Sequence, residues 1–378
     1  MRGREMAIRC VLIGAVVLAL WIWPAPSKAD LVDPKTEQSA TGLTLPPQTI
    51  GEGAFPTTLA EYLRLKGILP SRQRPEAPYR RVISSSPHAP LLRAMAATAL
   101  GQSTQGSYDE AESTYLKLIE IGDVLFDNQP AKVLGYATGL GLLYLEQAQY
   151  DKADSVLSRV LQERRRLLGE GDEATLRAMN DLALLRTAEG RDEEAERLLR
   201  KALETGREVL DVNHPVLLDS RNRLAVTLGN QARFREAGSL LASVLETRRS
   251  LLGEEHPETT TTMHDLGVLY AKEHRDEEAE ALLKRVLKKR RAEWGELHPG
   301  TLETAHELGS LYAGQGRHAK AEPLLRLAAE GRDNRFGRTH PATRASVDRL
   351  VHVYQALGKT EQADRWRQEP ASQSTDLR

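Results

Sequence analysis

The 42 residues from Leu176 to Leu217, LRAMNDLALLRTAEGRDEEAERLLRKALETGREVLDVNHPVL, decide the fold of the chain that contains them. Their first half sets Met179, Leu182, Ala183 and Leu185 at helical spacing and stops at Gly190, a residue type that ends helices. Their second half sets Ala195, Leu198, Leu199, Ala202, Leu203, Val209 and Leu210 on one face of a longer helix. Asp192, Glu193 and Glu194 open that helix and Arg207 lies near its end, a polarity that matches the helix macrodipole. The segment then reaches His214-Pro215, and proline suits the first position of the next helix because its missing N–H has no partner there anyway. The spacing therefore predicts two antiparallel helices per unit.

The unit recurs along the 378-residue chain with a period of 42. The slot of Gly190 is filled by Gly106, Ala148, Ala232, His274, Gly316 and Gly358, and five residues after each comes an alanine: Ala111, Ala153, Ala195, Ala237, Ala279, Ala321 and Ala363. His-Pro returns at His256-Pro257, His298-Pro299 and His340-Pro341, while Asp172-Glu173 and Gln129-Pro130 depart from it. A period of this length means stacked supersecondary units, each burying its face against the next. Seven repeats start near residues 92, 134, 176, 218, 260, 302 and 344 and run to residue 368, with a polar tail over 369–378.

These positions resemble the tetratricopeptide repeat. The matching residues are Leu266-Gly267, Tyr270 and Ala279, then Leu308-Gly309, Tyr312, Gly316 and Ala321; Arg186 and Leu228 replace the tyrosine in two repeats. Each copy is eight residues longer than the usual 34, and with its Leu-Gly-x-x-His-Pro ending it looks like the long repeats of the kinesin light chain type. The resemblance implies an all-α, right-handed superhelical solenoid of about seven stacked antiparallel helix pairs. It implies a protein- or peptide-binding surface without fixing the ligand.

Ahead of the repeats, Arg2, Arg4 and Arg9 precede an apolar run from Cys10 to Trp23, and Ser27-Lys28-Ala29 has small residues at the −3 and −1 positions of a cleavage site. Residues 1–29 are expected to be a signal peptide. That places the mature chain in a periplasm or outside the cell, without stable membrane insertion; the alternative is an uncleaved membrane anchor. Residues 30–56, with Pro34, Pro46, Pro47, Gly51 and Gly53, read as a flexible tether, and residues 57–91 as a short helix and linker that cap the array. Cys10 is the only cysteine and would leave with the signal, so the mature chain would have no disulfide and no thiol chemistry. A net charge of −1 gives no general attraction for nucleic acid.

If the first helix of each pair lines a concave groove, as in the family, the position two before the repeated leucine forms a column: Thr138, Asn180, Asn222, His264, His306 and Asp348. Beside it stand Asp181, Arg223, Asp265, Glu307 and Arg349, and one turn earlier Arg177 and Glu303. Asparagine offers a donor and an acceptor together, which suits gripping a peptide backbone. The competing reading is a merely solvated polar helix face. Arg164 to Arg166, Arg248-Arg249 and Lys288 to Arg291 form a recurrent basic ridge that either meets an anionic polymer or lipid surface or complements helix C-termini beside Glu170, Glu254, Glu255 and Glu296. The His-Pro histidines lie on separate repeats and read as turn and cap residues rather than metal ligands. No phosphate-cradling loop, nucleophile elbow or paired catalytic motif is present, and no cofactor is expected. The reading is a non-enzymatic exported scaffold that takes a protein or peptide in its groove. Its alternative is an accessory protein of an envelope complex or polymer, docking by the convex ridge.

Overall fold

A computed structural model describes residues 88–125 and 130–368, together with Leu63 and residues 66–68. The signal, the tether, most of the capping segment and the polar tail lie outside these residues. Among the described residues fourteen helices form seven pairs: α1 (His88–Gln105) with α2 (Tyr108–Leu125), α3 (Pro130–Glu146) with α4 (Tyr150–Leu168), α5 (Glu173–Ala188) with α6 (Asp192–Arg207), α7 (Pro215–Asn230) with α8 (Phe234–Leu252), α9 (Pro257–Lys272) with α10 (Asp276–Trp294), α11 (Pro299–Gly314) with α12 (His318–Phe336), and α13 (Pro341–Ala356) with α14 (Thr360–Arg367). No helix among the described residues is long and apolar enough to cross a membrane.

Each reversal inside a pair is made by the residue in the slot of Gly190. Gly106, Ala148, Gly190, Ala232, His274, Gly316 and Gly358 all have φ between 57° and 85°. The amide of the following residue donates back to the carbonyl five positions earlier, as from Arg191 to Arg186 and from Arg275 to Tyr270, which satisfies carbonyls that the helix end leaves open. The alanine column follows at the start of the second helix, and all seven members are fully or almost fully buried. Close approach has a second requirement at Gly309, where a Cβ would stand 2.8 Å from Leu325 Cγ across the pair.

The reversal between pairs uses two further residues. Helices α4, α8, α10 and α12 stop at Gly169, Gly253, Gly295 and Gly337, with φ of 78–89° and ψ of 165–172°, a region open essentially to glycine alone. Asp211 occupies that slot in the third repeat. There α6 ends at Arg207, a turn early, and the Asp211 carboxylate instead accepts the Asn213 amide at 2.8 Å. Val209 is exposed, contrary to the helical face that its spacing predicts, as is Leu251 in the same slot of α8. Next comes the cap: Nδ1 of His214, His256, His298 and His340 accepts the amide two residues on, at 3.2–3.4 Å, and Asp172 does the same with its carboxylate at 2.8 Å.

The first helix of each pair packs on the first helix of the next, whereas no two second helices pack to that extent among the described residues. The array therefore curves with its first helices inside and its second helices outside. Burial agrees: thirteen of the sixteen residues of α5 are buried, against five of sixteen in α6.

Two predictions follow from the reversals and caps. Three left-handed slots hold residues with a Cβ, a conformation that costs about 1–2 kcal/mol without glycine. Ala148→Gly, Ala232→Gly and His274→Gly should each raise the melting temperature, by about 0.5–1 kcal/mol of stability, while Ala153→Gly, in the buried helical column, should lower it. Calorimetry that found Ala232→Gly destabilising would remove the argument. The second prediction concerns pH. Burial, then the Arg290 charge, lowers the His298 pKa to about 4. Because the folded value lies below that of the unfolded chain, the stability held above about pH 6.5 is lost as the pH falls toward 4. His298→Asn keeps a cap that does not titrate there, so the variant should lose less melting temperature than the parent between pH 7 and pH 4.5.

Candidate functional site

The inner helices bring the two predicted columns together, but they employ them differently. Asn180, Asn222, His264 and His306 are buried and turned toward the next repeat. Asn180 donates through Nδ2 to the Val216 carbonyl (3.3 Å) and accepts from Ser220 Oγ (2.8 Å). His264 Nδ1 lies 3.5 Å from Thr304 Oγ1, and His306 Nδ1 lies 3.1 Å from Ser346 Oγ. Burial, then the neighbouring arginines (Arg290 and Arg332 at His264, Arg332 and Arg349 at His306), pushes the pKa of both imidazoles well below the ordinary histidine value. The hydrogen-bonding capacity that asparagine would offer to a peptide is thus spent, at Asn180, on the seam between repeats. Asn222 differs. Its Nδ2 donates to Asp265 Oδ2 at 2.6 Å, and its Oδ1 is buried without a hydrogen-bond partner.

The neighbouring column forms a charged row. Asp181 is buried, which raises its pKa, and the charges of Arg223, Arg164 and Arg177 oppose that shift. Burial likewise lifts Asp265 to about 6 against the Asn222 hydrogen bond and Arg290, Arg248 and Arg223. Glu307 is raised by burial and held down by Lys272, Arg332 and Arg349. Arg177 reaches its own helix, donating from Nε and Nη2 to Glu173 Oε1 at 3.1 and 2.6 Å. Arg223 has a buried Nη1 without a hydrogen-bond partner. Asp348 and Arg349 are exposed on α13, the last inner helix among the described residues.

Behind these columns stands one that the sequence reading assigned elsewhere. Arg164, Arg248, Arg290 and Arg332 share a slot on the second helices, and the last three are almost wholly buried. Each points its guanidinium at the next repeat's inner helix. Arg290 Nη1 donates to the Gly300 carbonyl and to Thr304 Oγ1, both at 2.8 Å, and Arg332 does the same to Ala342 and Ser346. Gly206 fills the same slot in the third repeat, where Leu217 Cδ2 would lie 2.5 Å from an added Cβ. There the Val216 carbonyl takes Asn180 in place of an arginine. The signal was legible as a register of arginine with Thr or Ser fourteen residues later. The expected basic ridge is accordingly divided. One arginine of each group lies inside, and the neighbour that follows it, at least partly exposed, pairs with a glutamate: Arg165 with Glu170 at 3.2 Å, Arg249 with Glu254 at 2.6 Å and Arg291 with Glu296 at 3.5 Å.

The replacement of tyrosine by Arg186 also has a structural account. Tyr144 and Tyr312 donate through their hydroxyls to Glu112 and Glu280 on the preceding outer helix, at 2.8 and 3.0 Å, and Arg186 pairs with Asp154 in the same place.

A family model for the tetratricopeptide repeat matches residues 131–208, 216–292 and 295–369. Among solved structures, the chain is similar to the nearly identical tetratricopeptide-like repeats of a kinesin light chain candidate from Podosopora anserina, with 26% identity over 55% of this chain and 98% of that one and a TM-score of 0.41. It is also similar to BtubC from P. vanneervenii, at 24% identity over 58% and 91% with a TM-score of 0.46. NprR in complex with its cognate peptide NprX shares the fold at a TM-score of 0.55, with 15% identity over 82% of each chain. No curated protein matches the chain by sequence. With more than half of its residues matched by that model, and every matched stretch falling on the helix pairs described above, the chain belongs to the tetratricopeptide repeat family.

Proposed function

We propose that the chain is a non-enzymatic scaffold, exported through its N-terminal segment, that holds an extended protein or peptide segment along its inner wall. The observation that carries this reading is the row Asp181, Arg223, Asp265 and Glu307, one residue on each of four successive inner helices, with charges of both signs. An extended chain offers amide donors and carbonyl acceptors at every residue, so a wall of charged side chains of both signs suits its backbone and side chains of mixed sign. Asn180 contributes by fixing the register of the third and fourth repeats. The NprR complex with NprX is a precedent for a peptide held on this fold.

The export half of the proposal rests on the basic, apolar and small-residue sequence of residues 1–29. Sequencing of the mature protein from its native envelope fraction should find Asp30 at the N-terminus; a mature chain beginning at Met1 or Arg2 would show the segment to be retained.

The binding half is tested by panning a random peptide display library against the immobilised full chain and measuring the affinity of enriched peptides. Arg223→Ala should weaken them about tenfold or more, the loss of a charged hydrogen bond, and Arg200→Ala, on the outer helix α6, should leave them unchanged. Binding should also depend on pH. Asp265 holds its proton in the free protein up to about pH 6, so a peptide that places a cation beside it should bind more tightly as the pH rises from 5 to 7, and Asp265→Asn should abolish that slope. Enrichment that is indifferent to both inner-wall substitutions would overturn the reading.

A further inference from the structure

The coil meets itself. The last turn of α12 and the loop after it lie against the ends of α1 and α3, elements separated by 189 to 232 residues of chain. Arg335 donates from Nη1 to the Thr104 carbonyl at 2.7 Å, and from Nη2 to the Ser103 carbonyl at 2.6 Å and to Glu146 Oε1 at 3.0 Å. Those carbonyls belong to the last turn of α1, the negative end of its dipole, where a cation is favoured. Glu146 is 1% exposed, and its carboxylate also accepts from Ser103 Oγ at 3.0 Å and from the Tyr108 hydroxyl at 3.1 Å. His340 adds a further link. Its Nδ1 accepts the Ala342 amide, so its proton sits on Nε2, which donates to the Glu146 carbonyl at 3.0 Å. Phe336 stacks between Tyr108 and His340, with ring centroids 5.9 and 4.5 Å apart.

The placement of these groups in the repeat is as telling as their geometry. The slot of Arg335 is held elsewhere by Leu125, Leu167, Val209, Leu251 and Glu293, and that of Glu146 by Thr104, Ala188, Asn230, Lys272, Gly314 and Ala356. The arginine and the glutamate thus each occur once in their columns, in the two places that the coil brings together. A buried ion pair is a costly device unless its remaining hydrogen-bonding capacity is met, and here two further donors on Glu146 and two carbonyls on Arg335 meet all of it but the Arg335 Nε–H.

We infer that Arg335 and Glu146 are the two halves of a latch that closes the superhelix on itself after one turn, and that without it the array extends as a spring. The link to function rests on the scaffold reading above: a closed coil encloses the inner wall, so exchange of a partner there depends on the latch opening.

The test is the distance between spin labels on cysteines introduced at Gln105 and Asn334, both exposed, in the full chain carrying Cys10→Ser. The parent should give one short distance. Arg335→Ala and Glu146→Gln should each replace it with a broader distribution longer by about one helix diameter, ~10 Å. The radius of gyration in solution scattering should rise, with far-UV helicity unchanged, and Arg344→Ala, at an exposed site nearby, should leave the short distance in place. If Arg335→Ala loses helicity, the near-isosteric Glu146→Gln decides. The short distance persisting in a folded Glu146→Gln variant overturns the latch. These distances are read without any partner, so failure of the peptide-binding experiment leaves this one standing, and the reverse.

Discussion

A helix pair in this molecule exists because one residue at its apex adopts a left-handed conformation, and the rest of the structure depends on that reversal. The reversal closes the last carbonyls of the inner helix and aims the outer helix back along it. The alanine five residues later is then set where the two helices approach, and a larger side chain there would push them apart. Once the pair is fixed, its inner helix has apolar residues on more sides than its partner can cover, and the next pair must bury them. The 42-residue period is the sequence record of this requirement repeated.

Apolar burial makes the stack adhere but specifies its register poorly, because leucine and alanine faces tolerate sliding by a turn. The seam of directed bonds supplies the register. Arg290 reaches Gly300 and Thr304, Arg332 reaches Ala342 and Ser346, and where Gly206 leaves no arginine, Asn180 reaches Val216 and Ser220 instead. Each repeat thereby offers its neighbour donors that only one alignment satisfies. A buried guanidinium gives little net stability compared with an apolar side chain, but misalignment would strand it without acceptors, at a cost of several kcal/mol. The histidines of the inner column suit the same role because burial keeps them neutral, able to meet a hydroxyl with a ring nitrogen.

What was legible in the sequence is what is local. Gly190 and its equivalents announce the reversals, His214-Pro215 and its equivalents announce the caps, and the Asp172 variant of the cap uses a carboxylate for the same bond. The candidate groove was legible only in part. Periodicity identifies which residues are equivalent, but not which neighbour covers them, and Asn180 and Asn222 look alike in sequence although Asn180 uses both its donor and its acceptor across the seam and Asn222 only its donor. Arg290 and Arg291 are adjacent and chemically identical, yet one is buried and the other pairs with Glu296 at the surface. The early end of α6 was visible as the missing glycine at Asp211 and becomes intelligible once the backbone angles at Gly169, Gly253, Gly295 and Gly337 are known.

Identical repeats define an endless coil, so a finite closed one has to be encoded where the repeats differ. Local rules set the turn between neighbours and, through it, the approximate pitch. They cannot decide whether successive turns touch, because that depends on small angles summed over five or six pairs. The uncertainty is removed by chemistry specific to the place of contact. An arginine stands where other repeats carry leucine, valine or glutamate, a glutamate where others carry threonine, alanine, asparagine, lysine or glycine, and an aromatic stack lies beside them. Positions that break the period in this way, buried and matched in charge across the chain, are the ones at which a solenoid states its own length.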